Sequence, residues 1–417
     1  MKSHSAADRS PWAHDVRLLF TTRIVRLFAY GLVSVVLVLH LAAAGLTESQ
    51  IGLLLTMTLL GDAGISLWIT TRADRAGRRN MLLLGATLMI VAGLLFASTR
   101  SFWLLLLAAT FGVISPSGNE VGPFLAVEQA ALAQAIPAER RTSVFAWYNL
   151  AGSLATAFGS LCGGALSGGL QSRGATTLGS YRVLAGAYAV LGIGLAVLFL
   201  RLSRSSEAPK AKHALPPRPG LYLGLTTSRS VVFKLAALFT LDSFAGGFVV
   251  QAFVAYWFQR RFGVSPGVLG GIFFGANLLA GISALSATWV ARRIGLLATM
   301  VATHLPSNVL LFLVPLMPTL PLAIAVLLLR FSISQMDVPT RQAYTMALVP
   351  ADERSAAAGV TGIARTMGAS LSPMVAGPLY ASAALASLPF FLAGGLKIVY
   401  DLLVWRTFRK VKVDTSA

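Results

Sequence analysis

The chain has 417 residues, of which 56% are hydrophobic and 12% charged, and its mean hydropathy is +0.73. Soluble domains carry roughly twice that share of charge, so the composition excludes one, and the short alternating segments of an outer-membrane barrel are absent from the pattern. What remains is an all-α integral membrane protein. The net charge of +19 does not signal a nucleic-acid partner, because the basic residues fall in alternate connections between apolar runs.

In chain order, twelve apolar stretches are long enough to cross a bilayer as helices, which takes about 20 residues each. They cover residues 20–45, 50–71, 81–98, 102–134, 143–170, 181–202, 231–257, 266–291, 296–317, 319–347, 356–384 and 386–405. The first ends in "HLAAAG" (40–45), which looks like a signal-peptidase site. Its apolar run from Leu27 is longer than a signal core, however, and a second span follows within a few residues, so it is read as a retained span. Arginine and lysine gather at the N-terminus (Lys2, Arg9, Arg17), at 72–79, at Arg140 and Arg141, and through 201–229. They recur at Arg292, Arg293 and Arg354 and in the tail (Arg406, Arg409, Lys410, Lys412), while the opposite connections hold few beyond Arg100, Arg173, Arg260 and Arg261. This positive-inside bias places both termini in the cytoplasm and fits a multi-pass protein of the cytoplasmic (inner) membrane. Cys162, the only cysteine, lies inside the fifth stretch, so no intramolecular disulfide forms and the thiol reads as a small packing residue.

One polar interruption is much longer than the rest. "RLSRSSEAPKAKHALPPRPGLYLGLTTSRS" (201–230) is rich in Pro, Ser and basic residues, as a solvated linker is. It divides the chain into a six-helix bundle at 1–200, a cytoplasmic linker at 201–230 and a second six-helix bundle at 231–417. The halves resemble each other. "GLTESQIGLLL" (45–55) aligns with "GVSPGVLGGIF" (263–273), and at the same offset "ADRAGR" (73–78) meets "ARRIGL" (291–296). After a short indel, "VEQAALAQAIPAERR" (127–141) aligns with "TRQAYTMALVPADER" (340–354), and "GSLCGG" (159–164) with "SPMVAG" (372–377). Internal repeats of this kind mark transporter folds, in which the substrate site lies between the repeats near mid-membrane.

Twelve spans in two pseudo-symmetric six-helix bundles, a long central loop and "DRAGRR" between spans two and three resemble the major facilitator superfamily. That family's loop pattern is roughly G-x-L-x-D-R-x-G-R-[RK]. Asp74, Arg75, Gly77, Arg78 and Arg79 match it, whereas Thr70 stands at the glycine and Arg72 at the leucine. The resemblance implies two halves rocking around a central cavity, with the loop as a gate. Asp74 would then meet the N-terminal end of span eleven, "PADERSAAAG" (350–359), with Arg354 close by. A helix N-terminus favours such an acid, and Gly77 permits the tight turn. The plainer alternative makes the cluster a topology anchor, with Asp74 a local partner of Arg78.

Charges inside a membrane cost about 2.5–3.5 kcal/mol each on insertion scales and are functional candidates by default. The spans hold Arg23, Arg26, Asp62, Glu120, Glu128, Asp242, Arg330, Asp337, Arg341, Arg365, Lys397 and Asp401. In span ten, Arg330, Ser334, Asp337, Arg341 and Tyr344 recur every three or four residues and form one polar stripe; span one repeats the pattern with Arg23, Arg26, Tyr30 and Ser34. The resemblance implies that spans one, four, seven and ten line the cavity. Arg26, Tyr30, Asn119, Glu120, Asp242, Asp337 and Arg341 are therefore the candidates for substrate binding and proton coupling, with purely structural ion pairs as the alternative. Pro116 and Pro123 in span four and Pro339 in span ten are expected to loosen those helices beside Asn119, Glu120 and Gln342. Asp242 ranks first as proton carrier, ahead of Asp337 and Glu120, because its own helix offers no nearby cation except Lys234.

Two pairs are expected to gate. Glu128 and Arg341 hold equivalent repeat positions, each nine residues before a helix-ending proline, Pro137 or Pro350, and hence roughly 13 Å along the helix; they would meet when the inner gate closes. Asp62 either pairs with Arg365 on the neighbouring span eleven or is a protonated residue hydrogen-bonded in its own half.

"GSLCGG" (159–164) resembles the G-P-x-x-G-G of drug:proton antiporters, with Gly159, Gly163 and Gly164 matching and Ser160 in place of the proline. Gly152, Thr156, Gly159 and Gly163 form a small-residue face for close packing, expected to meet Gly271 and Gly275 of span eight. The five histidines form no metal-spaced cluster and no GxxxxGK[ST] loop is present, so neither a cofactor nor ATP drive is expected. A membrane-embedded enzyme, the rival class, needs its polar constellation in one half and no repeat. The sequence therefore reads as a monomeric secondary transporter that exports a small organic compound in exchange for protons. The alternatives are an importer or facilitator of an organic anion, bound by Arg23, Arg26, Arg330 and Arg341, and a transporter-like sensor.

Overall fold

The computed structural model of the chain describes residues 11–120, 122, 124–203, 207, 225–350 and 352–411. Over these residues the chain is helical: α1 (Pro11–Ser34), α2 (Leu37–Ala43), α3 (Glu48–Ala76), α4 (Arg78–Ser98), α5 (Phe102–Phe111), α6 (Phe124–Ala135), α7 (Ala138–Ser172) and α8 (Thr177–Leu200). After the linker come α9 (Arg229–Gly247), α10 (Gln251–Phe262), α11 (Pro266–Ile294), α12 (Leu296–Leu313), α13 (Leu320–Ser334), α14 (Asp337–Ala347), α15 (Arg354–Ala381) and α16 (Leu388–Phe408).

Among the described residues nine helical spans are long and apolar enough to cross a membrane, or ten when the bent pair His14–Ser34 and Leu37–Ala43 counts as one. Of the twelve expected spans, two fall outside that count. The eleventh, α15, is rich in Gly, Ser and Thr and carries Arg365. The fourth is broken outright between α5 and α6, over residues that hold Pro116, Gly118 at φ 71° and Gly122 at φ 81°. A proline lacks the N–H that a helix interior needs, so the loosening expected from Pro116 becomes a gap; Pro123 lies outside the described residues. Pro339 causes no break of its own. It is the third residue of α14, where a helix tolerates proline, and the interruption comes before it, at Gln335 and Met336.

By compactness the chain forms two units. Unit 1 comprises residues 1–46, 60–214 and 265–274, and unit 2 comprises 47–59, 215–264 and 275–417. In unit 1, α1 packs mainly along α7, and α4 along α8. In unit 2, α9 packs mainly along α15, and α12 along α16. The same pairings thus recur in each unit, as a repeated sequence dictates.

Glycines fix the register of that repeat. Gly77 (φ 94°) and Gly295 (φ 85°), aligned in sequence, are the N-caps of α4 and α12, each at a φ that favours glycine. In unit 1 a Cβ on Gly164 would lie 2.6 Å from the Gly270 Cα, and in unit 2 a Cβ on Gly52 would lie 3.1 Å from the Gly377 Cα. Gly52 aligns with Gly270 and Gly164 with Gly377, so one backbone contact occurs twice. The small-residue face of α7 differs from expectation in its partner. Gly159 and Gly163 abut the backbone of α1 at Phe28 and Leu32. Span eight is met by Gly164, at Gly270, whereas Gly271 has open space beside it and Gly275 faces Leu328.

Candidate functional site

In unit 1 the polar stripe of α1 meets two acids from the fourth span. Arg26 donates from Nη1 and Nη2 to the two carboxylate oxygens of Glu128 (2.7 and 2.8 Å) and from Nε to Glu120 (2.9 Å). The Arg26 and Glu128 side chains are both 0% exposed. Arg23 donates to Glu120 (2.7 Å), to the Tyr148 carbonyl (2.8 Å) and to Asn149 (3.2 Å). Glu128 also accepts from Thr22 Oγ1 (2.8 Å) and from the Tyr148 hydroxyl. Two cations and two acids thus cancel at hydrogen-bond distance, as a desolvated cluster requires. Tyr30 lies beside it, stacked on Tyr188 at 6.5 Å between centroids, and Asn119 is exposed. Asp62, on α3, is different: its Oδ1 is buried and has no hydrogen-bond partner among the described residues.

Unit 2 holds a second cluster, larger than its stripe on α13 and α14 announces. Asp242 on α9 accepts from Arg341 Nη1 at 2.8 Å through one oxygen and from Lys397 Nζ at 2.5 Å through the other. His304 Nε2 stands 3.7 Å from it. Asp337 lies 3.3 Å from the same Arg341 nitrogen. Behind them, Asp401 joins His304 Nδ1 (2.7 Å) and accepts from Asn308 Nδ2 (2.9 Å). The ranking of Asp242 as the least encumbered carboxyl is thereby corrected. Its own helix is indeed free of close cations, but α12, α14 and α16 supply three basic groups, which spacing along α9 cannot show. His304 was not among the residues singled out in the sequence. The available signal was its separation from Asn308 by four residues on one apolar helix, which places both on one face.

Two arginines of unit 2 stay outside these pairs. Neither Arg330 nor Arg365 has a carboxylate within 4.0 Å among the described residues; Arg365 Nε donates to Ser243 Oγ at 3.3 Å. Glu128 and Arg341, expected to gate together, are each neutralised inside their own unit, by Arg26 and by Asp242 with Asp337.

At the loop, the side chains of Asp74 and Arg75 lie outside the described residues. The acid found at the N-terminus of α4 comes from the linker: Glu207 accepts from the backbone N–H of Arg78 (2.6 Å) and of Arg79 (3.1 Å). Gln134 ties this corner together, donating to the Glu207 carbonyl (3.2 Å) and accepting from the Arg78 guanidinium (2.9 Å). Upstream, Asp15 accepts from the Ser203 backbone (3.0 Å) and hydroxyl (2.5 Å). At the linker's far end Glu353 accepts from the backbone N–H groups of Thr226 (2.8 Å), Thr227 (2.9 Å) and Ser228 (3.1 Å), leading into α9. The Thr226 hydroxyl, above all, holds the Glu353 carboxyl well below the usual glutamate range, with the Thr227 and Thr226 N–H groups adding to it against an opposing effect of burial. Arg354 donates to the Met346 carbonyl at 3.2 Å.

Each cluster balances buried acids with basic side chains inside its own unit, and among the described residues no group of His, Cys, Asp and Glu is arranged to hold a metal. The family model of the Major Facilitator Superfamily matches residues 19–373. The chain is similar to the uncharacterized membrane protein YJR124C of Saccharomyces cerevisiae, 31% identical over 94% of this chain and 93% of the yeast protein. Its fold is similar to that of a bacterial homolog of the human lysosomal transporter Spinster, in an inward-facing and occupied conformation, at 16% identity and a TM-score of 0.72 over 95% of this chain and 97% of that one. A D-xylose-proton symporter is similar at 15% identity and a TM-score of 0.69, over 94% of this chain and 97% of its own.

Proposed function

The chain belongs to the Major Facilitator Superfamily and is a membrane transporter rather than an enzyme; from that premise we propose that it exports a small organic compound in exchange for protons, with Asp62 as the proton-carrying carboxyl. The contrast among the buried acids carries this reading. Glu120, Glu128, Asp242 and Asp337 each face at least one arginine within 3.3 Å, so each already has an opposite charge at contact distance. Asp62 has a buried oxygen, Oδ1, with no hydrogen-bond partner among the described residues, and no ion pair there either. A carboxyl group without a cation is tolerated in a dry site only with its proton on, and sheds it when water returns. That is what a coupling residue does in alternating access. The likeness of residues 159–164 to the antiporter pattern supports export. The protein works as a monomer in the cytoplasmic membrane with both termini inside.

A second reading, import or facilitated diffusion of an organic anion, is favoured by Arg330 and Arg365, which lack carboxylate partners among the described residues. The deciding experiment is growth of pump-deficient bacteria on toxic cations, anions and neutral compounds, with wild type, Asp62→Asn, Asp242→Asn and empty vector compared at matched expression. Resistance that Asp62→Asn abolishes is the expected result. Full resistance retained by Asp62→Asn would remove it as the carrier, and sensitisation by wild type would establish uptake.

A further inference from the structure

We propose that unit 2 seats the anionic head of the transported compound, an oxygen-rich group such as a carboxylate, sulfonate or phosphate, on Arg330, Arg365 and the unpaired edge of Arg341. This rests on the transport reading and names its substrate class.

Charge comes first. Counting Arg330 and Arg365, which stand outside the pairs but within electrostatic range of them, three acids, Asp242, Asp337 and Asp401, meet four basic side chains, Arg330, Arg341, Arg365 and Lys397, so the formal count leaves one positive charge over, His304 uncounted. Arg330 and Arg365 lie within electrostatic range of Asp242 and Asp337 yet bond to neither. An uncompensated cation in a membrane interior is costly, and a bound monoanion cancels it. In unit 1 the arginines are matched one for one by Glu120 and Glu128, so Arg23 and Arg26 have no charge to spare for an anion.

Hydrogen bonding points the same way. Arg330 Nε and Arg341 Nε are buried without a hydrogen-bond partner among the described residues, and so are Ser334 Oγ and Tyr400 Oη. Guanidinium N–H groups only donate, and hydroxyls donate when an acceptor is offered. Both oxygens of Asp242 are already taken. Arg330 and Ser334, four residues apart on α13, line one face of that helix, and Arg341 follows on α14. What that face lacks is an acceptor with a negative charge, and a planar guanidinium is the side chain best shaped to hold one.

The test uses the purified full-length protein in detergent, with benzoate, benzenesulfonate and phenyl phosphate as anionic probes. Benzylamine and benzyl alcohol are the cationic and neutral controls, and thermal stability and calorimetric binding are the readouts. At least one anion is expected to raise Tm while the controls do not. Arg330→Gln and Arg365→Gln should each weaken that binding by about 10- to 100-fold, the loss of one charge-assisted contact. Arg293→Gln, an exposed arginine stacked on Trp289 at 3.8 Å, should leave it unchanged. Arg330→Met should keep or raise Tm without ligand, so that lost binding cannot be laid to unfolding. Stabilisation by the amine or alcohol equal to that by the anions, anion binding that survives both glutamine variants, or no stabilisation by any of the three anions overturns the proposal. Binding in detergent needs neither export nor a proton gradient. Drug resistance without anion binding therefore fails the seat alone, and anion binding without resistance fails the export reading alone.

Discussion

Replacing Arg26 by methionine keeps most of the side chain's bulk and removes its charge and donors. Glu128 then retains only two neutral donors, Thr22 and Tyr148, for a carboxylate that is 0% exposed. Removing one partner from a buried pair costs about 3–5 kcal/mol. Replacing Arg23 is milder, because Glu120 keeps the Arg26 Nε contact at 2.9 Å, so the loss is nearer the roughly 1.5–3 kcal/mol of a hydrogen bond to a charged group. At roughly 2–4 °C per kcal/mol for a body of 150–250 residues, Arg26→Met should lower Tm by about 6–20 °C, and Arg23→Met by roughly half as much. Adding Glu128→Met to Arg26→Met takes away the stranded charge and should restore part of the loss. The measurement is size-exclusion chromatography of detergent-solubilised protein after graded heating, for wild type, Arg23→Met, Arg26→Met, Glu128→Met and the double variant. An Arg26→Met no worse than Arg23→Met, or a double variant whose losses simply add, would refute the account of this network as a mutually neutralising set.

Other outcomes follow from packing and from the linker. Gly164→Val should cost about 1–3 kcal/mol, since its Cβ would press on the Gly270 backbone, whereas Gly169→Ala, beside open space, should gain up to about 1 kcal/mol of helix propensity; Tm of the two variants checks both signs. Glu353, on a connection outside the spans, has a folded pKa below its unfolded value. Its stabilisation is therefore present above the ordinary glutamate range and fades as pH falls through and below about 4.3. Glu353→Gln should accordingly lower Tm at neutral pH by an amount that shrinks on acidification; a pH-independent difference would contradict the cause given.

The membrane class, the repeat and the stripe of α13 and α14 were legible because each is periodic: apolar runs of bilayer length, matched glycines such as Gly77 and Gly295, and polar residues every three or four positions. The partners of the stripe were not. Asp242 gains its cations from Arg341 and Lys397, 99 and 155 residues away, and spacing along one helix carries no information about which other helix lies alongside. His304 and Asp401, 97 residues apart, escaped for the same reason. The gap between α5 and α6 was signalled by Pro116, but its extent depends on the positive φ of Gly118 and Gly122, which composition alone leaves open. At the basic loop, Glu207 occupies the end of α4 from 129 residues beyond Arg78, a partner that spacing within the loop does not announce.

The acids that grip the linker also say where this chain tolerates being cut. Asp15 with Ser203 and Glu207 with α4 fasten its beginning to residues of the first half, and Glu353 fastens residues 226–228 to the second. A break or an inserted tag between residues 208 and 224 leaves every one of these caps on the fragment that needs it. One placed at 204 separates Glu207 from the segment that carries α4, and one at 229 parts residues 226–228 from the Glu353 carboxylate that holds them. A cut or insertion between residues 207 and 225 thus keeps each of these contacts within one polypeptide when the two halves are expressed separately.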